Sequence, residues 1–174
     1  MALQLVEQDA ATDALTGQAN RRALDMVLRQ QVDLAARSGR PFSVLLLDID
    51  HFKHINDRHG HGVGDETLRA FAARVQQYLR QGDVCARYGG EAFVVVLPAT
   101  ALAAATEVAE RLRCGVARGA LLCAPALSAT VSIGAAQYVP GQTQQQLLNA
   151  ADSAVYAAKR GGRDQVCVAE PALA

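Results

Sequence analysis

The sequence predicts an α+β domain, a central mixed β-sheet flanked by helices. Three observations carry this. Apolar spacing along the 174 residues gives the order helix, strand, helix, helix, hairpin, helix, strand, helix, strand, a mixture that suits helices packed on one sheet. The run Phe42–Ile49 (FSVLLLDI) is almost unbroken in its apolarity, as a strand covered on both faces must be. Val84–Tyr88 and Phe93–Leu97 bracket Gly89-Gly90, strand formers around paired glycines. That is the pattern of a hairpin whose two-residue turn draws its positive φ from glycine.

Taken in order, residues 1–12 (MALQLVEQDAAT) are compatible with a helix but polar, a lead-in arriving from an upstream module. Asn20 is a good N-cap for a helix reaching Ser38, with Leu24, Val27, Leu28 and Val32 near helical spacing, and Gly39 and Pro41 stop it. After Phe42–Ile49, Phe52–His59 reads as a short helix and GHGVGD as a glycine-rich bend. Asp65 then caps a helix whose apolar stripe is Leu68, Phe71, Ala72, Val75 and Leu79. Beyond the hairpin, Thr100 to Val116 is helical, with Leu102, Ala105, Val108, Ala109 and Leu112 facing in. Ala129, Val131 and Ile133 alternate with Thr130 and Ser132, which predicts a half-exposed or edge-like strand. Thr143 and Gln146 form a capping box opening the last helix, buried through Leu147, Leu148, Ala151, Ala154, Val155 and Ala158. Gly161-Gly162 ends it, and Val166–Val168 is a final short strand.

Lys plus Arg and Asp plus Glu number 17 each, so the net charge is zero. A general nucleic-acid binder carries a basic excess, so phosphate chemistry in this chain has to come from local clusters. The four cysteines (Cys85, Cys114, Cys123, Cys167) form no CxxC pair, which argues against zinc and against a disulfide scaffold. No signal peptide and no apolar run of about 18 residues is present, so no membrane span is predicted. The expected setting is cytoplasmic and reduced.

What a plain hairpin does not need is Glu91, a carboxylate at the tip where bare glycine backbone leaves room for a ligand. Asp48 and Asp50, two apart at the end of the apolar run, share one face of an extended strand. They are either a solvated strand terminus or a pair met by something cationic. If the strand end and the hairpin tip lie side by side, their acids suit Mg²⁺, which takes one or two carboxylates plus substrate phosphates. Lys53, and Lys159 with Arg163 at i, i+4 spacing on one face, would suit a triphosphate; alternatively the last two are a solvated helix face. Asn56 and Asp65 offer donors and acceptors, and a carboxylate accepting from N1–H and N2–H₂ is a way to choose guanine.

The strings DALTGQANRR, LLLDIDHFKHINDRHGHGVGDETL, RQGDVCARYGGEAFVVVLP, ATVSIGAA and ADSAVYAAKRGGRD, in this order and spacing over residues 12–168, resemble the GGDEF family of diguanylate cyclases. The resemblance implies a domain over residues 13–170 with a nucleotide cyclase or polymerase-palm (ferredoxin-like) fold. It implies condensation of two GTP into cyclic di-GMP with loss of pyrophosphate, across a homodimer and with two Mg²⁺ (or Mn²⁺) per active site. Carried over by position, Asp48, the Ile49 carbonyl and Glu91 would hold metal, with Glu91 also helping to deprotonate the attacking 3′-hydroxyl. Asn56 and Asp65 would read guanine in a pocket lined by Leu15 and Leu68. Phe52 and Lys53, with Lys159 and Arg163, would hold phosphates, and Gly89 and Gly90 would let the nucleotide lie against the backbone. Arg80 and Asp83 match an RxxD inhibitory site for cyclic di-GMP; an Arg–Asp pair bracketing the strand start is the plainer reading. A sensory or dimerising module upstream is also implied.

The chain departs from the family at Ala92, where an acid is usual, and more mildly at Gln18 and Val155, where leucine is usual. Losing the acid at position 92 removes a negative charge and a metal contact. Three readings follow: a cyclase with lowered turnover, a degenerate domain that binds GTP or cyclic di-GMP as an effector, and a protein-interaction domain, against which the retained pockets argue.

Overall fold

In the computed structural model, which describes residues 10–170, the apolar runs assemble into one five-stranded sheet of order β2-β3-β1-β6-β7. Its strands are β1 (Ser43–Ile49), β2 (Val84–Arg87), β3 (Ala92–Leu97), β6 (Val131–Gln137) and β7 (Val166–Val168). β1 lies at the centre, antiparallel to β3 and to β6, and β7 closes the far edge parallel to β6. The helices are α1 (Arg21–Ser38), α2 (Phe52–His59), α3 (His61–Gln76), α4 (Leu102–Ala117) and α5 (Gln144–Arg160). A two-stranded ribbon, β4 (Leu122–Cys123) with β5 (Ala126–Leu127), has no counterpart in the sequence expectations.

β1 is buried on both faces, and its side chains divide by the period of two. Leu45, Leu47 and Ile49 join the core under α2, α3 and α4. Val44 and Leu46 join the core under α1 and α5, with Leu24, Leu28, Leu147 and Val155. The capping signals work as expected. Asn20 accepts from the Ala23 amide at 2.9 Å, and Gly39 ends α1 in the left-handed region at φ 70°. Thr143 and Gln146 close the capping box on α5. Cys85 lies buried in β2, and burial pushes its thiol up to about 12.

Several expectations need correction. The 129–133 segment is not an edge: β6 sits between β1 and β7 with all but its last residue buried. Its small residues are there because α5 lies directly on it. A Cβ on Gly134 would stand 2.1 Å from the Ala151 carbonyl oxygen, which no side chain can accept. The GHGVGD stretch is not a bend. Gly60, at φ 90°, both ends α2 and starts α3, and Gly64 N–H already donates to the Gly60 carbonyl at 3.1 Å. Asp65 is therefore an exposed residue inside α3 rather than its cap. The hairpin turn is also wider than two residues: β2 ends at Arg87 and β3 begins at Ala92, leaving residues 88–91 between the strands, and neither Gly89 nor Gly90 has a positive φ. The lead-in helix over 1–12 falls mostly on residues 1–9, outside the described ones. Ala10 and Ala11 are in a turn and Thr12 bridges to Ala19. Among the described residues no helix is long and apolar enough to cross a membrane.

Candidate functional site

β1 delivers Asp48 and Ile49 to its C-terminal end, and the antiparallel register places the hairpin tip beside them. Asp48 pairs with Ala92, and the Ile49 amide donates to the Glu91 carbonyl at 3.3 Å. Asp48, Ile49 and Glu91 consequently wall one open cleft of about 460 Å³, joined by Phe52 and Lys53 from the start of α2 and by Lys159 and Arg163 from the far side. The strand end and the hairpin tip do converge. Lys159 Nζ forms an ion pair with Asp48 Oδ2. Lys159 and Arg163 do not share a helix face, because α5 stops at Arg160. Arg163 lies in the following turn at φ 65°, and that turn brings it to the cleft.

Three residues of the cleft wall were not singled out from the sequence: His51, His54 and Asp57. The only available signal was their i, i+3 spacing along the start of α2. Asp50 does not join Asp48. The strand ends at Ile49, His51 turns the chain at φ 58°, and Asp50 is buried at 2% exposure. Its carboxylate accepts from the Thr130 and Ser132 hydroxyls and from the Asp164 amide. The idea of a solvated pair fails for Asp50.

The hairpin tip is fixed by two arginines rather than by glycine geometry. Arg87 donates to the Gly89 carbonyl at 3.3 Å and to the Gly90 carbonyl at 3.0 Å. Arg21 donates to the Tyr88 carbonyl at 3.2 Å, with its guanidinium 4.1 Å from the centre of the Tyr88 ring. Arg87 also pairs with Asp13 at 3.3 Å. Burial raises the Asp13 carboxyl, but the Thr16 hydroxyl and amide and the Arg87 guanidinium outweigh it and hold the group below its ordinary value. Open space lies over Gly90, where an added Cβ would meet nothing within 4 Å.

The remaining predicted residues sit apart from the cleft wall. Asn56 faces α3, where a Cβ on Gly64 would fall 1.8 Å from its Oδ1. That oxygen is buried without a hydrogen-bond partner, the one such side-chain atom among the described residues. Asp65 follows Gly64, exposed; Leu68 is buried in the core and Leu15 packs half-buried against the same cluster. Arg80 and Asp83 lie at the other end of the hairpin from Glu91, paired at 3.4 Å, with Asp83 buried and the Arg80 side chain 64% exposed. Asp83 also accepts from the Arg80 amide at 2.9 Å, and Arg80 reaches Thr100 Oγ1 at 3.0 Å.

The donor set at the cleft suits a hard cation. Carboxylate and carbonyl oxygens are what Mg²⁺ and Mn²⁺ prefer. Among the described residues no cluster of three or more His, Cys, Asp or Glu side chains could hold a metal unaided. Two carboxylates completed by phosphate oxygens match the way Mg²⁺ is commonly held.

Over residues 10–165 the chain matches the family model described as diguanylate cyclase, GGDEF domain. It is 47% identical over 161 residues to the response regulator PleD of Caulobacter vibrioides, covering 90% of this chain and 36% of that protein. It is 44% identical over 163 residues to the diguanylate cyclase DgcP of Pseudomonas aeruginosa, covering 93% of this chain and 24% of that protein. The chain thus spans about a third or less of these two relatives. Among solved structures it is similar to the coiled coil and GGDEF domain of DgcB from Caulobacter crescentus in complex with c-di-GMP. That match has a TM-score of 0.91 and 37% identity, covering 97% of this chain and 90% of that one. The diguanylate cyclase SiaD of Pseudomonas aeruginosa, solved with its activator SiaC, gives a TM-score of 0.90 at 38% identity, covering 97% of this chain and 65% of that one.

Proposed function

This chain belongs to the GGDEF family of diguanylate cyclases, and from that premise we propose that it condenses two GTP into cyclic di-GMP and pyrophosphate, with turnover lowered by Ala92. The observation that carries the reading is one cleft walled by Asp48 from β1 and Glu91 from the hairpin tip, with Lys53, Lys159 and Arg163 around it. Cyclases of this family use divalent metal ions. Asp48, Glu91 and the Ile49 carbonyl would hold them, two per site, and the ions would neutralise charge on the reacting phosphate.

The chain's own residues would do the rest by positioning. Lys53, Lys159 and Arg163, with backbone amides at Phe52 and Lys53, would hold the triphosphate. Asn56 and Asp65 would select guanine beside Leu15 and Leu68, and Gly89 and Gly90 would let the nucleotide approach the tip. The 3′-oxygen of one GTP attacks the α-phosphorus of the other, the bond to the β-phosphate oxygen breaks, and pyrophosphate leaves. Glu91 would help to accept the 3′-hydroxyl proton. The same transfer in the other direction closes the ring, so two copies of the domain must face each other. Arg80 would bind the product through a bidentate guanidinium contact to guanine, slowing the enzyme. In the longer relatives this domain is one part of the protein, and an upstream sensory or dimerising module fits the same role here.

Purified protein incubated with GTP and Mg²⁺ or Mn²⁺ should yield cyclic di-GMP; no product from a demonstrably dimeric sample would reject catalysis. Ala92 favours one second reading, a domain that binds GTP at the cleft or cyclic di-GMP at Arg80 and Asp83 without turnover. In that case calorimetry would show binding where the assay shows none.

A further inference from the structure

The turn after α5 reaches the cleft through two consecutive residues in the left-handed region, Arg163 at φ 65° and Asp164 at φ 46°. Side chains other than glycine hold such a backbone only where the surroundings impose it. The Arg163 amide donates to the Ala158 carbonyl at 3.0 Å and the Gln165 side-chain amide to the Arg163 carbonyl at 3.2 Å, and Asp50 ties the turn to the sheet. Its Oδ2 accepts from the Asp164 amide at 3.0 Å and from Thr130 Oγ1 at 2.7 Å, and its Oδ1 accepts from Ser132 Oγ at 2.6 Å. The Asp50 amide in turn donates to the Thr130 carbonyl at 2.9 Å. One carboxylate therefore joins the end of β1, the start of β6 and the turn that carries Arg163. From outside, Arg113 on α4 pairs with Asp164 Oδ1 at 3.0 Å, a second and more exposed strut on the same residue. Asp50 is buried and takes no part in the cleft wall; both of its oxygens are engaged by donors.

We infer that Asp50 is a positioning residue for Arg163: it fixes the turn so that the Arg163 guanidinium stands over the phosphate-binding cleft, and it touches neither nucleotide nor metal. This rests on the reading of the cleft as a GTP site. It also separates two aspartates that the sequence presents as a pair, since Asp48 would act by its charge and Asp50 by its hydrogen-bond geometry.

The full chain carries the test, with a non-hydrolysable GTP analogue and Mg²⁺ titrated by calorimetry. Asp50→Ser keeps a polar group but is too short to reach Asp164. It should weaken the analogue roughly tenfold, the scale of one charge-assisted contact, and so should Arg163→Ala. The double variant should bind no more weakly than Arg163→Ala alone. Asp50→Asn should stay within about threefold of the unmutated chain, because its oxygen can take both donors of Oδ2 while the Ser132 hydroxyl turns to accept from the amide. Additive losses, or an Asn variant as poor as Ser, would overturn the inference and assign Asp50 a direct role by charge. Amide exchange of the unmutated chain decides independently of how the variants fold. Asp164, though in a surface turn, should exchange at least about a hundredfold slower than an unstructured amide; fast exchange there sinks the idea. If the unmutated chain binds no analogue while Asp164 is protected, the GTP reading has failed and the tie between Asp50 and the turn has not.

Discussion

Replacing Gly64 with alanine should separate stability from nucleotide recognition. The added Cβ would stand 1.8 Å from Asn56 Oδ1, 2.9 Å from Asn56 Cγ and 3.4 Å from Phe52 Cζ, so the Asn56 side chain must swing away. Four effects on folding nearly cancel. Alanine in place of glycine inside α3 contributes about 1 kcal/mol. Releasing Asn56 Oδ1, buried without a partner, returns part of the roughly 1–3 kcal/mol that an unsatisfied buried group costs. Against these stand about 0.5–1.5 kcal/mol for a displaced rotamer and roughly 1–3 kcal/mol for crowding a packed helix pair. The net should fall within about 1 kcal/mol, a shift of only about 2–4 °C in melting temperature for a chain of this size. Recognition has no such compensation. A guanine edge left unpaired in the complex costs about 1–3 kcal/mol, so affinity for a GTP analogue should drop about tenfold or more and discrimination against ATP should narrow. Calorimetry and thermal melting on the same sample read both quantities. Asn56→Ala should reproduce the affinity loss, and combining the two changes should add little. Unchanged affinity alongside a moved Asn56 would refute the assignment of that amide to guanine.

Three other outcomes follow from the same geometry. Ala92→Glu places a carboxylate directly across from Asp48, within reach of a shared divalent ion. Turnover should rise at least about tenfold, since metal stabilisation of a phosphoryl transition state is worth several kcal/mol, and an unchanged rate in the product assay would remove Ala92 as the cause of any slow turnover. Arg80→Ala should abolish cyclic di-GMP binding by calorimetry with only a modest fall in melting temperature, because the buried Asp83 carboxylate keeps the Arg80 amide as a donor when the 64% exposed guanidinium is lost; retained binding would move the product site elsewhere. Asp13, held below the ordinary carboxylate value, contributes stability that is complete above that value and lost as pH falls through its lowered one. Asp13→Asn should therefore be destabilised at neutral pH and approach the unmutated chain as pH falls below the ordinary carboxylate value in urea titrations, and a gap that widens with acid would show the sign to be wrong.

The fold was legible wherever one residue's choice is decided by its near neighbours in sequence. Asn20, Gly39 and the Thr143–Gln146 box mark helix ends by local hydrogen bonds, and β1 declares its two buried faces by unbroken apolarity. The convergence of Asp48 and Glu91 was legible because a strand end and a hairpin tip are both local features, and only their adjacency had to be supplied. What stayed hidden depends on partners far along the chain. Period-two reasoning put Asp50 with Asp48, but it assumes the strand continues, and the left-handed turn at His51 breaks that assumption. β6 looked like an edge because Thr130 and Ser132 alternate with Ala129, Val131 and Ile133; those hydroxyls instead donate to Asp50, and Gly134 makes room for the helix α5 on the same strand. The paired glycines suggested a tight turn, whereas Arg87 beside it and Arg21, 67 residues before Tyr88, shape it, and nothing in the sequence around the glycines announces Arg21.

On the proposed reading, the charges of the cleft make Ala92 bear more on turnover than on binding. Asp48, Asp57 and Glu91 face Lys53, Lys159 and Arg163 there, three carboxylates against three fixed cations, with Lys159 already paired to Asp48. A triphosphate is drawn to the cations, and an acid at position 92 would do nothing to help it. Divalent ions are drawn to the carboxylates, and there the ammonium of Lys159 competes with them for Asp48. An acid across from Asp48 would tilt that competition toward the metal and free Lys159 for phosphate. Without it the cleft would favour the nucleotide over the ions that activate it. Affinity for GTP should consequently survive at metal concentrations where turnover fails, and raising Mn²⁺ should recover product faster than raising GTP.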